Sequence, residues 1–126
     1  MEFTIATKKT AHNVEAFCKL IGCDLLVALW GGEKPHIGAV AVACPRPSAK
    51  NTGGISASAS VICLSGHQED ELARKMALSL ASALNKTVVV SAGMHWNDIG
   101  PEGILDVIEN CKTLTTLIID RFTQAV

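Results

Sequence analysis

The sequence has few aromatic residues, no tyrosine and no long apolar run. Aromatic residues make up 4% of its 126 positions, which leaves little material for a surface that stacks nucleic-acid bases. The net charge of −1 and the lack of any lysine and arginine cluster remove the electrostatic signature of nucleic-acid binding. No apolar stretch reaches the length of about 18 to 20 residues that a membrane span requires. We therefore expect neither a nucleic-acid partner nor a membrane segment.

The cysteines do not form a recognisable framework. There are five of them, an odd number, and no two stand in a CxxC pair. A disulfide scaffold or a zinc knuckle is therefore not favoured, and buried free thiols are the simpler interpretation. The first residues also lack the basic-then-apolar order of a signal peptide. These features predict a cytoplasmic protein.

What the sequence does contain indicates one globular domain. Hydrophobic residues make up 48% of the chain and charged residues 18%, a balance that is typical of a folded protein rather than a disordered one. The length is sufficient to bury a substantial core. We predict a single domain over residues 1–126.

The first half is rich in strand patterns. Residues 14–21 fit a strand or a short helix, and Gly22 directly after them favours the strand. The segment 31–36 is typical of a hairpin loop, and the polar segment 45–54 of a longer loop that either covers a ligand or has no such role. The predicted strands are residues 3–7, 14–21, 24–30, 37–43 and 55–64.

The second half alternates strands with helical patterns. A helix is predicted from about residue 67 to Asn85, and Ser65 with Gln68 matches a capping box at its start. A short strand over residues 87–91 follows, and Pro101 marks the start of the last helix. The predicted apolar stripes are Leu72, Met76, Leu80, Ala83 and Leu84, flanked by Ala73, Ala77 and Ala81, in the first helix, and Ile104, Leu105, Ile108 and Cys111 in the second.

These patterns predict an α+β fold, a mostly antiparallel sheet with a strand–helix–strand–helix C-terminal half and two main helices packed on the sheet. In a strand–helix–strand unit within one sheet both strands end at the same edge, so the strand ends near residues 64 and 91 should meet. An antiparallel strand over 37–43 would bring His36, Gly31 and Gly32 to that edge. Because ligands bind beyond the ends of parallel strands in such sheets, we expect a site there.

Two strand-to-helix corners carry a histidine beside carboxylates. His67 precedes three acids, and His95 is followed by Asp98, which is equally compatible with capping the last helix. Together with His36 these histidines are chemically suited to a divalent metal. No two of them stand in an HxxxH or HxH spacing, however, so a metal-dependent enzyme is the less favoured alternative.

Nucleophilic chemistry and a standard nucleotide fold are also disfavoured. Cys63 lies inside an apolar strand, and Ser65 is better used as a helix cap, so neither fits a nucleophile. The phosphate fingerprints GxxxxGK[ST] and GxGxxG are missing. Glycine-rich corners still suit a phosphate, which we expect near Gly31 and Gly32 or near Gly93, since the three acids that open the helix would repel it.

Four short motifs follow one another along the chain: Gly31-Gly32; Pro35-His36-Ile37-Gly38-Ala39-Val40; Ser65-Gly66-His67-Gln68-Glu69-Asp70; and Ala92-Gly93-Met94-His95. In this order, over residues 24–110, they resemble the small accessory D subunits of UbiD-type hydroxyarylic acid decarboxylases. The gallate decarboxylase D subunit is the best-known kind. The two residues that follow His95, Trp96 and Asn97, do not match the family pattern.

The resemblance implies a chaperone-like carrier of prenylated flavin mononucleotide (FMN) that does not itself catalyse decarboxylation. The partner would be the catalytic subunit of a UbiD-type decarboxylase, and the carrier would be a homo-oligomer. No catalytic residue and no metal ligand is assigned. The residues expected to bind the cofactor are Gly31, Gly32, His36, Gly66, His67, Gly93, His95 and Asp98. Two alternatives stay open, a three-histidine metal enzyme and a purely structural assembly subunit.

Overall fold

The structure is a computed structural model, and it describes residues 1–8, 11–50, 52–64, 66 and 68–124. Six strands and two helices are found there. In chain order they are β1 (Glu2–Ala6), β2 (Val14–Ile21), β3 (Asp24–Gly32), β4 (Ala39–Pro47), β5 (Ile55–Cys63), α1 (Asp70–Leu84), β6 (Val88–His95) and α2 (Pro101–Thr123). The predicted α+β fold, with two helices packed on a mostly antiparallel sheet, is confirmed.

The strands form because apolar residues alternate along them at the period of two that a half-buried strand requires. In β3, Leu25, Val27 and Leu29 are buried, whereas the residues between them are partly exposed. The central strand β6 is more continuously apolar, and residues 92–94, which precede its exposed last residue His95, are all buried. One face of the sheet therefore makes the core with the helices.

The six strands lie in the order β1-β2-β3-β6-β4-β5. The β3–β6 pair is parallel, and the other pairs are antiparallel. The predicted hairpin between the third and fourth strands is wrong, because β6 lies between them and residues 33–38 cross the end of β6. Val88, Val90 and Ala92 of β6 are fully buried. An apolar strand of this kind is stabilised most by burial at the centre of a sheet.

Alanines allow α1 to lie close to the sheet. Its buried residues are Ala73, Met76, Ala77, Leu80 and Ala81, and the facing strand β4 buries Ala39, Ala41 and Ala43. The predicted stripe was partly wrong: Ala83 is exposed, and Leu72 and Leu84 are half-buried. The buried face is rotated towards the small residues, which permit the closest contact between helix and sheet.

The start of α1 also differs from the prediction. The helix begins at Asp70, Glu69 is its N-cap residue, and no side-chain capping bond is formed. Gln68 therefore lies outside the helix, and the predicted capping box is wrong; Ser65 and His67 lie outside the described residues. The end of the helix is as predicted, with Asn85 in the left-handed conformation at φ 52°.

The last helix begins at Pro101 as predicted and continues unbroken to Thr123. Its buried residues are Gly103, Val107, Cys111, Leu114 and Ile118. The predicted apolar face was wrong for Ile104 and Leu105, which are 49% and 65% exposed. Neither α1 nor α2 is both long and apolar enough to cross a membrane, and these are the helices in the described part of the chain.

The predicted loop 45–54 is shorter than expected and lies far from the expected site. Strand β4 extends to Pro47, and the amide of Ser48 donates to the carbonyl of Gly54 at 2.9 Å, which closes a hairpin to β5. Since β4 begins at the edge where β5 and β6 end, this turn lies at the opposite edge. Within one chain it cannot cover a ligand bound beside His36.

Candidate functional site

At one edge of the sheet, β3, β5 and β6 end and β4 begins beside one another. Gly32 at the end of β3 is level with His95 at the end of β6, and Ala39 at the start of β4 pairs with Ala92 and with Cys63 near the end of β5. This edge, formed by residues 31–39, 66, 68–69 and 92–98, is called the rim below. It holds most of the residues that the sequence nominated.

A close crossing of two backbone segments fixes the position of His36. A Cβ atom added at Gly93 would collide with the carbonyl group of His36, so the crossing segment lies directly against β6. The Gly38 amide donates to the Ala92 carbonyl at 2.9 Å and secures the same crossing. Only glycine at residue 93 allows this contact.

The imidazole of His36 is held from both sides. Its Nδ1 lies 2.8 Å from the Lys34 carbonyl oxygen, and its Nε2 lies 3.2 Å from Oε2 of Glu69. The Glu69 side chain is only 11% exposed, and it occupies the space that a side chain at Gly38 would fill. Because both ring nitrogens face oxygen acceptors, both bonds form together only when His36 is doubly protonated or Glu69 carries a proton.

A polar cleft opens beside this pair. Its volume is about 510 Å³, within the range of about 300–1,000 Å³ that is usual for small-molecule sites. Lys34 contributes a full positive charge, and His36 and His95 contribute ring nitrogens. The lining residues are Lys34, Pro35, His36, Gly66, Gln68, Glu69 and His95.

An apolar cleft of about 250 Å³ continues from the polar one. The two share Gln68, Glu69 and His95, so the apolar cleft adjoins the polar one. The exposed side chain of Ile104, which does not face the core, lines this second cleft. The remaining lining residues are Leu72, Met94, Trp96, Ile99, Val107 and Ile108.

Trp96 anchors the wall between the clefts and the sheet. Its indole ring packs against Gly31 and Gly32, where an added Cβ would lie 3.1 and 3.0 Å from ring atoms. The ring also makes an edge contact with His12 at 5.5 Å between centroids. His12 in turn lies 3.3 Å from Oδ2 of Asp106, so the wall is connected to the first turns of α2.

The nominated glycines have different surroundings. An added Cβ would meet the His95 carbonyl at Gly32, the His36 carbonyl at Gly93, and the Asn13 carbonyl with Trp96 at Gly31. These three glycines allow close backbone packing and leave little space for a phosphate beside them. Gly66, at φ 82°, has no atom within 4 Å of such a Cβ and lines the polar cleft.

The other nominated residues also differ in whether they line a cleft. His36 and His95 line one cleft, and His95 Nε2 lies 3.2 Å from Oδ1 of Asn97. Asp98 is exposed, with a left-handed backbone at φ 55°, and lines neither cleft. It is not the N-cap of α2 either, a position that Gly100 occupies. His67 lies outside the described residues, so its place is not given.

Sequence reasoning did not nominate Lys34, Glu69 or Trp96 as site residues. Lys34 lies between the nominated Gly32 and His36, and as the cation nearest these motifs it could have been found. Glu69 was considered a partner of His67, whereas the structure pairs its carboxylate with His36. The Trp96 contact depends on the course of the chain after β6, for which the sequence gives no periodic signal.

A metal site finds no support in the described residues. Across residues 1–8, 11–50, 52–64, 66 and 68–124, no group of three or more histidine, cysteine, aspartate or glutamate side chains is arranged to hold an ion. Glu69, the carboxylate nearest to His36 in the cleft, is engaged by its ring. The donor set and the apolar extension suit an organic anion better than a metal ion.

Comparisons with known proteins agree with the resemblance seen in the sequence. Protein LpdD of Lactiplantibacillus plantarum is 26% identical over 96 residues, which cover 76% of this chain and 67% of that protein. A chain from the crystal structure of a chaperone complex for yeast 20S proteasome assembly matches with a TM-score of 0.50 and 16% identity, over 94% of this chain and 98% of that one; this likeness concerns the fold alone. Residues 8–123 match the family described as the prenylated flavin chaperone LpdD-like domain. The chain belongs to this family of prenylated flavin chaperone LpdD-like proteins.

Proposed function

We propose that this protein binds prenylated FMN at the rim and delivers it to a UbiD-type aromatic acid decarboxylase, without catalysing the decarboxylation itself. The observation that carries the proposal is a pair of adjoining clefts, one polar and one apolar, that share Gln68, Glu69 and His95. Such a pair matches a ligand with a charged end and an apolar end. Membership of the prenylated flavin chaperone LpdD-like family supports prenylated FMN as that ligand.

The chemistry of the lining residues fits the two ends of the cofactor. Prenylated FMN carries an anionic phosphate at one end and an extended, largely apolar ring system at the other. Lys34 and His95 would hold the phosphate through charge-assisted hydrogen bonds, while Trp96 and Ile104 would contact the ring system. Glu69 would not oppose the phosphate strongly, because its carboxylate faces His36.

The nominated glycines and histidines serve the same proposal in different ways. Gly66, His36 and His95 would line the bound cofactor. Gly31, Gly32 and Gly93 would act through the close packing that shapes the cavity.

Delivery requires that the cofactor can leave again. The polar cleft lies at an edge of the sheet, and its lining includes Lys34, Pro35 and His95, which are exposed. A ligand held there would remain accessible to a partner protein.

We propose the cytoplasm as the location, because the cysteines at residues 18, 23, 44, 63 and 111 are all free thiols, as is usual in a reducing compartment. We also propose that the carrier is a homo-oligomer.

A transfer experiment tests this function. The purified chain is loaded with prenylated FMN, freed of excess cofactor and mixed with a UbiD-type decarboxylase that lacks its cofactor. We expect decarboxylase activity to appear, and we expect a Lys34→Ala carrier to restore at least tenfold less under the same loading conditions. Lys50→Ala is the matched control, since Lys50 is also an exposed lysine but lies in the turn at the opposite edge.

Two results would contradict the proposal. One is a wild-type carrier that retains no cofactor after removal of the excess. The other is a loaded carrier that performs no better than the same amount of free prenylated FMN. Retention without transfer would leave a cofactor-binding protein that does not deliver.

A further inference from the structure

A groove of about 290 Å³ lies between α1 and α2, and it shares no lining residue with the polar cleft. Its walls are formed by residues between 72 and 79 on α1 and between 108 and 119 on α2. At a rise of 1.5 Å per residue, these walls are about 11 and 17 Å long. The groove, called the helix groove below, therefore has room for about two to three turns of a helix or for a short extended segment.

The floor of the helix groove is apolar. Met76 and Cys111 are buried there, whereas Leu72, Ile108 and Ile119 are half-buried and keep contact with water. Covering such aliphatic surface is favourable, because apolar area is removed from water. The floor therefore suits the apolar side chains of an incoming segment.

Two threonines on the α2 wall add little polarity to the groove. The hydroxyl of Thr115 donates to the carbonyl of Cys111 at 2.7 Å, and that of Thr116 donates to the carbonyl of Lys112 at 3.3 Å. Both hydroxyl protons are thus engaged within the helix. An occupant would meet these side chains mainly as additional apolar contact.

One lysine on each wall gives the groove a positive margin. Lys75 of α1 and Lys112 of α2 are exposed and line the groove. Among the described residues no aspartate or glutamate lines it, and the salt bridges found there involve neither lysine. Carboxylates on an occupant would therefore be attracted by both lysines without competition from the lining.

The helix groove adjoins the apolar cleft, since Leu72 and Ile108 line both. That cleft is where the ring system of prenylated FMN is proposed to bind. A protein seated in the groove would therefore lie directly beside the bound cofactor. Transfer from one protein to another requires such proximity.

We propose that the helix groove is the docking surface for the decarboxylase, and that it receives a segment with apolar side chains flanked by carboxylates. The inference rests on the proposed function for the identity of the partner and adds the surface that the partner contacts. Apolar side chains of the segment lie on the floor, and its carboxylates lie beside Lys75 and Lys112. Two copies of this chain that met groove to groove would instead bring like charges together.

The dimensions of the groove also suit a carrier. Contact over about two to three helical turns is smaller than the roughly 800 Å² per partner of a standard stable interface. A contact of this size is typical of a transient complex, which a carrier needs in order to separate from its partner after delivery.

Charge reversal tests the role of the lysines. The decarboxylase that lacks its cofactor is titrated with flavin-free carrier, and its affinity is measured by calorimetry. We expect Lys75→Glu and Lys112→Glu each to weaken the complex about fivefold or more, because an attraction becomes a repulsion. Lys50→Glu is the matched control and should have little effect, since Lys50 is exposed in the turn at the opposite edge of the sheet. Added salt should weaken the wild-type complex more than the Lys112→Glu complex.

A second pair of variants tests the groove without changing a lysine. Thr116 and Thr113 are both exposed on α2, but only Thr116 lines the groove. Thr116→Asp should weaken the complex about tenfold, because it places a carboxylate against the apolar side chains of the partner. Thr113→Asp should leave the affinity unchanged.

The initial rate of cofactor transfer separates this inference from the proposed function. If the wild type and the groove variants transfer prenylated FMN equally fast, the docking surface lies elsewhere and delivery still stands. If the wild type neither binds the decarboxylase nor transfers the cofactor, the proposed function and this inference both fail.

Two further controls identify other occupants of the groove. Flavin titration should give the same affinity for prenylated FMN in Thr116→Asp as in the wild type, and sedimentation should give the same mass. A loss of flavin affinity would assign the groove to the cofactor, and a change of mass would assign it to a second copy of this chain. Either result would overturn the inference.

Discussion

Nε2 of His36 lies 3.2 Å from Oε2 of Glu69, a residue 33 positions later in the chain. The contact joins the segment that crosses the end of β6 to the residue that precedes α1. It is mostly shielded from water, since the side chains are 25% and 11% exposed. The same pair therefore shapes the polar cleft and fixes the N-terminus of α1 relative to the sheet.

Removing one partner should destabilise the fold measurably. We expect Glu69→Ala to lower the free energy of unfolding by about 1–3 kcal/mol, because the ring of His36 loses a shielded acceptor. Urea unfolding measures the change. Glu71→Ala is the control, since Glu71 is exposed and makes only a surface contact with Arg74 at 3.5 Å, worth less than about 0.5 kcal/mol. Equal effects of the two substitutions would show that the Glu69 contact has no special weight.

Gly93→Ala should be more damaging than a substitution at an open glycine. The new Cβ would collide with the His36 backbone, which cannot move without breaking the crossing, so we expect a loss of about 3 kcal/mol or more. Thermal unfolding and the yield of folded protein report the effect. At Gly100 no atom lies within 4 Å of an added Cβ, and Gly100→Ala should cost at most about 1 kcal/mol as a helix-cap change. A Gly93→Ala protein as stable as the wild type would show that the His36 backbone does not lie directly against residue 93.

The apolar cleft should contribute to the affinity for prenylated FMN. Ile104 lines the cleft and Leu105 does not, although both are exposed on the first turns of α2. We expect Ile104→Ser to weaken binding about tenfold by removing apolar contact with the ring system, and Leu105→Ser to leave binding unchanged. Fluorescence titration compares the two. If both substitutions weaken binding alike, or neither does, the ring system does not occupy this cleft.

The five thiols should differ sharply in reactivity. Burial raises the pKa of Cys18 and of Cys111 to about 12 from the ordinary value of 9.0, so neither forms the reactive thiolate near neutral pH. In dilute folded protein at pH 8, Cys23, Cys44 and Cys63, which are exposed, should react first. Mass spectrometry after alkylation counts the modified residues, and denaturant should release the remaining two. Early modification of Cys18 or Cys111 would contradict their burial.

The raised pKa values of Cys18 and Cys111 also predict how the stability of the fold changes at high pH. The folded-state pKa of these two thiols lies above the unfolded value, so folding favours their protonated form. The contribution of these thiols to the free energy of unfolding is complete below pH 9 and is lost as the pH rises from about 9 towards 12. We expect unfolding midpoints in urea to fall over that interval, and to fall less in a Cys111→Ala variant.

Local signals in the sequence predicted much of the fold. Alternating apolar residues located the strands, Asn85 marked the end of α1, and Pro101 marked the start of α2, because each of these depends on neighbouring residues alone. The position of β6 between β3 and β4 could not be predicted in this way. Strand pairing depends on residues far apart in the chain, and a hairpin between consecutive strands is the commoner arrangement.

The site was predictable only in outline. Connectivity brought His36 and His95 to one edge, but the pairing of His36 with Glu69 depends on the crossing over Gly93, which has no periodic signature. The start of α1 was misplaced because Ser65 and Gln68 satisfy a capping pattern that the helix does not use. Ile104 was assigned to the core, since an apolar residue that lines a cleft has the same sequence signal as one that packs inside.

The most direct test of the account is calorimetric titration of the purified chain with prenylated FMN and, separately, with unmodified FMN. The account predicts one prenylated FMN bound per chain with micromolar or tighter affinity, weaker binding of unmodified FMN, and at least a tenfold loss in Lys34→Ala that Lys50→Ala does not show. No measurable binding of either flavin, or binding that Lys34→Ala and Ile104→Ser leave unchanged, would contradict a cofactor site at the rim.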